Sequence, residues 1–219
     1  MTAADRNEEA LAHWIEELPA IAATLDAAPD ARRVVLEDAL GDEVLLAAAP
    51  DAHPVLRARA HLAFGTIQLV LAADGGDEAM ADRGLDHLDA GVEVARSIAS
   101  SGPRLALLSQ AGALTALGAP FTRHTRRRTI THQLPAIAED IAEAFEAQAA
   151  DARRGTATLA GASALADGAE VLTGRAREAV LRKSLEMARD ARRDLIRAAE
   201  IRRADLASDV IASLEAVVN

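Results

Sequence analysis

The chain has 219 residues with no Cys, no Tyr, one Trp and three Phe, and half of it is hydrophobic, mostly Ala with Leu, Val and Ile. Without Cys there are no disulfides, thiol nucleophiles or thiolate metal sites, and the few aromatics disfavour stacking of bases or sugars. The formal charge is −10, with 7 basic against 19 acidic groups in residues 1–100 and 17 against 15 in residues 101–219. That acidity argues against non-specific nucleic-acid binding, and its asymmetry suits self-association or a charged partner.

Ala is the strongest helix former, and strand-forming residues are sparse. The expected fold is all-α: antiparallel helical hairpins packed as a bundle or short solenoid, with a long C-terminal helix. Residues 1–219 read as one helical domain; a finer division makes 1–50 an N-terminal helical lid and 54–219 three hairpins. The acidic first nine residues have no apolar core of a secretory leader. The longest uncharged run, 105–122, holds two Gly and a Pro and reads as a buried helix rather than a membrane span. A cytoplasmic protein is expected.

The spacing predicts a first helix from Asp5 to Ala28, with Leu11, Trp14, Ile15, Leu18, Ile21 and Leu25 on one face and Pro19 as a kink. Asp30 is a candidate N-cap for a second segment interrupted at Gly41, and residues 50–54 form a loop. Helices follow at 55–73, 77–100 and 104–117, separated by Gly and Pro. A basic stretch, Arg123 to Arg128, precedes a helix at 131–150, and Gly155 separates that from a segment at 156–172. From 175 to 218 there is neither Gly nor Pro, so one helix is expected, roughly 65 Å long if unbroken.

Gly65, Gly112 and Gly161 lie 47 and 49 residues apart, each in the first helix of an expected hairpin. Second helices register through Leu85, Leu134 and Leu181, and a small residue in the first helix permits close approach. The pair Phe64-Gly65, the Gly76-Asp77 turn, Ala81 and Leu85 resemble a stretched tetratricopeptide repeat. That resemblance implies stacked helical hairpins with a protein-binding groove.

Three constellations are candidates for function. Asp82, Asp86 and Asp89 share a helical face, with Glu93 a turn further on; Glu139, Asp140, Glu143 and Glu146 form a similar set. Such faces are usually solvated, though carboxylates so spaced suit a hard cation. Arg123, Arg126, Arg127 and Arg128 stand ahead of the expected helix start, where unpaired backbone donors make an anion or acidic-partner site. Within that segment Arg127 and His132 resemble the Arg-x4-6-His motif of the HEPN ribonucleases, with Arg128 where that family has a smaller polar residue. The resemblance implies metal-independent RNA cleavage, with His132 as acid–base and Arg127 steadying phosphate. The other histidines share no ligand spacing. Third, the C-terminal helix is amphipathic, suited to closing the bundle or pairing with a second copy in a homodimer.

The leading expectation is a non-enzymatic adaptor or regulatory subunit that binds another protein through a helical surface. The alternatives are the ribonuclease reading on Arg127 and His132, and a helical-bundle small-molecule sensor. No metal, cofactor or membrane partner is expected, and nucleic acid is disfavoured.

Overall fold

A computed structural model describes residues 2–218. Among them there is no strand, and the helices are α1 (Ala3–Ala22), α2 (Pro29–Gly41), α3 (Glu43–Ala48), α4 (Pro54–Gly75), α5 (Glu78–Arg96), α6 (Ser101–Gly118), α7 (His124–Gly168), α8 (Gly174–Arg197) and α9 (Ile201–Val218). Short 3-10 turns follow α6 at Ala119–Phe121 and α7 at Ala169–Val171. The fold class is as expected: all-α, with helices packed on one another and a long helix in the C-terminal half. No described helix is long and apolar enough to cross a membrane. Two compact units emerge, one of residues 1–98 with 106–141, the other of 99–105 with 142–219.

In the first unit, Thr2 and Asp5 close a capping box at the start of α1. That helix stops at Ala22 rather than Ala28, three residues past Pro19. Proline removes the backbone donor for the Ile15 carbonyl and weakens the last turn. Pro29, not an Asp30 cap, begins α2, its fixed φ suiting the first helical position. Leu11, Trp14 and Ile15 of α1, Leu36 of α2 and Leu46 of α3 share one core with Phe64, Ile67 and Leu71 of α4, and Trp14 stacks on Phe64 with ring centroids 4.2 Å apart. Gly76, at φ +68, takes the left-handed turn that ends α4, and the Asp77 side chain caps α5.

Glycine sets how closely α4 and α5 pack. A Cβ on Gly65 would lie 2.8 Å from the Gly84 carbonyl oxygen and 2.8 Å from Leu88, so only hydrogen fits where the two backbones cross. Gly112 of α6 likewise abuts Ile137 of α7.

In the second unit α7, α8 and α9 pack around Ala162, Leu185, Ala188 and Leu214. Gly155 does not end a helix: α7 runs through it, and through Pro135, as one 45-residue helix. A Cβ on Gly155 would sit 2.7 Å from Leu195 Cγ, and Gly161 meets Met187. Close packing offsets the roughly 1 kcal/mol that an interior glycine costs a helix.

Residues 175–218 form two helices rather than one. Ala199 takes φ +57, with Glu200 N–H bonded to the Leu195 carbonyl and Ala199 N–H to the Ile196 carbonyl. This is the Schellman closure usually built on glycine. Partners from α6 and α7 hold it: Gln148 Nε2 donates to the Ala198 carbonyl at 3.0 Å, and Ser101 Oγ lies 3.0 Å from the Arg197 carbonyl and 2.9 Å from Asp151 Oδ2. Gly102 leaves room for the corner, since a Cβ there would come within 2.6 Å of Ala199 Cβ. Arg154 clamps α7 to α8 through Asp194, whose carboxyl is held below its ordinary range by that hydrogen-bonded guanidinium. On the outer face of α8, Lys183, the chain's one lysine, donates to Glu186 at 2.7 Å.

Candidate functional site

The basic segment and the acidic stripe, read separately in the sequence, are one feature. Helix α7 begins at His124, seven residues before the expected start at 131. Arg126, Arg127 and Arg128 therefore lie in and just past the first turn of α7 rather than ahead of it. Arginine is itself a good helix former, which the expected break ignored.

Each arginine has a different fate. Arg126 Nη2 donates to Asp86 Oδ1 at 2.9 Å and to Asp89 Oδ2 at 2.7 Å, and Gln133 Nε2 also donates to Asp89 at 3.1 Å. Arg123 Nε stands 3.6 Å from Asp82 Oδ2. The stripe on α5 is thus met by Arg126 of α7 and by Arg123 just ahead of that helix. No cluster of three or more His, Asp or Glu suited to a metal ion occurs among the described residues. Of the second acidic set, Asp140 accepts two bonds from Arg96, at 2.8 and 2.6 Å.

Arg127 turns back on the chain. Its Nε donates to the Thr122 carbonyl at 3.0 Å and its Nη2 to the Pro120 carbonyl at 2.6 Å, tying the 3-10 turn to α7. Arg127 and Arg128 have no carboxylate partner among the described residues. His132 is exposed on the same helix, five residues beyond Arg127 and so about 140° around the axis. The two side chains leave α7 on different sides.

The turn held by Arg127 is the centre of an apolar surface. On one flank is a shallow trough of about 740 Å³ lined by Ala119, Pro120, Arg127, Leu134, Pro135 and Ala138, among others. On the other is a groove of about 180 Å³ between α4 and α6, lined by Leu69, Val70, Leu114, Leu117 and Phe121. Leu117 is 69 % exposed and Phe121 43 %. Pro135 has no N–H, so the Thr131 carbonyl in the trough has no partner from the helix turn above it.

A partly buried polar chain escaped the sequence reading. His61 of α4 and His87 of α5 meet Nδ1 to Nδ1 at 3.2 Å, and His87 Nε2 lies 3.1 Å from Glu43 Oε1. Gln68 Nε2 donates to the other Glu43 oxygen at 3.3 Å. In the tautomer that gives His87 Nε2–H to Glu43, Nδ1 of His87 accepts and His61 Nδ1–H donates. Ring centroids 5.5 Å apart nearly equal the N···N distance plus two ring radii. The rings meet head-on, as a hydrogen bond requires, with no room for a metal ion between them. Burial, then His87 and then Arg57 push His61 down to about 4, so it is neutral at physiological pH. Gln68 is 4 % exposed, and its Oε1 makes no hydrogen bond. The signal for this cluster was the helix crossing: Gly65 pairs with Gly84, and that register brings position 61 opposite 87.

Comparison with protein-family models, with curated proteins and with solved structures finds no match to this chain.

Proposed function

We propose that this chain is a non-catalytic protein-binding module, an adaptor or regulatory subunit acting through a helical surface. The observation that carries this reading is the exposed apolar corner built on the Ala119–Phe121 turn, with Leu117 and Phe121 uncovered beside a shallow trough that is open rather than enclosed. Contiguous exposed apolar surface costs solubility and marks interaction sites. The geometry of the arginine and histidine supports the same reading. Arg127 spends two donors on backbone carbonyls and leaves α7 about 140° around the axis from His132, which supports a binding rather than a cleaving role.

The test is biochemical. A protein co-purified with this chain from its native cell should rebuild a complex when both are purified separately and mixed, with a measurable dissociation constant. Failure to rebuild any complex, together with metal-independent RNA cleavage lost in His132→Ala, would replace this reading by the ribonuclease one.

A further inference from the structure

We propose that the groove where α7, α8 and α9 meet, within the second unit, binds a small primary amine with an apolar body. This site is separate from the exposed corner above and does not rest on it. The groove has a volume of about 390 Å³, within the range of sites that take small molecules. Its floor is Leu181 of α8 and Leu214 of α9, buried side chains that also build the core of this unit. Val210 and Val217 continue the apolar surface along α9 toward solvent. A ligand's carbon frame would therefore lie directly on the core between three helices.

Charge decides which ligand fits. Asp167, Glu170 and Asp209 line the groove against Arg177 alone. Among the described residues none of these four has an ion-pair partner; the pairs nearby are Glu178 with Arg182 and Glu215 with Arg189. Arg175 leaves α8 about 160° around the axis from Arg177 and does not line the groove. The excess is local, because the second unit as a whole holds 13 acidic and 13 basic groups. Helix ends reinforce it: α7 and α9 finish at this groove and α8 begins there, so two negative ends meet one positive end. Anions are disfavoured and a cation is drawn in.

Hydrogen bonding then selects among cations. The carboxylates supply acceptors, and Ser213 gives its hydroxyl proton to the Asp209 carbonyl at 3.0 Å, which leaves its oxygen to accept. No aromatic side chain lines the groove, so the cage that suits a quaternary ammonium is missing. An ammonium with N–H donors on a hydrocarbon frame matches both the rim and the floor.

Isothermal titration of the full chain with phenethylamine tests the proposal, beside phenylpropionate, ethylamine and the N-trimethyl derivative of phenethylamine. Phenethylamine should bind with a Kd on the order of 0.1–1 mM. Its N-trimethyl derivative should bind several-fold more weakly, and phenylpropionate and ethylamine should give no measurable heat. Asp209→Asn should weaken phenethylamine several-fold, and Asp167→Asn with Asp209→Asn about tenfold. Both residues are exposed, and unchanged helical circular dichroism would verify folding; if the double variant loses that signal, Glu170→Gln carries the same comparison. Phenylpropionate binding as tightly as phenethylamine, no heat with phenethylamine, or binding indifferent to these substitutions would overturn the proposal. So would equal binding of ethylamine, which would reduce the effect to ion pairing at the surface. A self-associated chain that Val217→Asp disperses would give the groove to a second copy and overturn it too.

Discussion

The two helical hairpins α4/α5 and α8/α9 turn by opposite means. Between α4 and α5 the chain carries its own instructions: Gly76 takes the left-handed turn and Asp77 caps the next helix. Between α8 and α9 nothing local asks for a break, and Ala199 adopts the left-handed conformation at a cost of about 1–2 kcal/mol. That corner is imposed by its surroundings, with Ser101, Gln148 and Gly102 closing over the exposed carbonyls of α8. One hairpin is written in its turn, the other in residues fifty and ninety-odd positions earlier.

The contrast is open to direct test. The largest effect should come from filling the glycine crossings. Gly65→Ala forces a Cβ against the Gly84 carbonyl, and Gly102→Ala does the same at Ala198 and Ala199. Each should lose about 2–3 kcal/mol in urea unfolding, Gly65→Ala by prising α4 from α5 and Gly102→Ala by opening the α8/α9 corner. Amide exchange would show which hairpin loosens.

A smaller effect should separate the hairpins by pH. His61 takes a proton near pH 6.5 when unfolded but only near 4 when folded. Its contribution is complete above pH 6.5 and is lost as pH falls toward 4, on the order of 2 kcal/mol after allowance for partial exposure. His61→Gln should flatten this slope in pH-dependent unfolding. Residues 142–219 contain no histidine, so protection of α8/α9 amides should not follow that titration. The smallest effect is a gain: Ala199→Gly relieves the left-handed strain and should raise stability by about 1 kcal/mol, read as a higher urea midpoint.

What was legible in the sequence follows the same division. Apolar periodicity and Gly/Pro punctuation placed α4, α5 and α6 within a few residues. The same punctuation misled where packing outweighed it. Gly155 and Pro135 sit inside α7, because Leu195 needs the space at one and an exposed position tolerates the other. The break at Ala199 carried no local mark. For the candidate site, Arg123, Arg126, Arg127 and Arg128 were visible as a run, but their division into paired and unpaired charges depends on which α5 carboxylates face α7. His61 and His87 are 26 positions apart, and only the register of the Gly65–Gly84 crossing brings them to one hydrogen bond.

The solitary lysine has a practical consequence. Lys183 offers the one ε-amine in the sequence, exposed on α8 beside Glu186. The neighbouring carboxylate keeps that amine protonated to higher pH than usual, so amine-directed reagents should need alkaline conditions to acylate it. With the α-amine, whose ordinary pKa is lower, blocked first near neutral pH, a dye attached in this way would occupy a single side chain. It would report on the α8/α9 hairpin without any engineered handle.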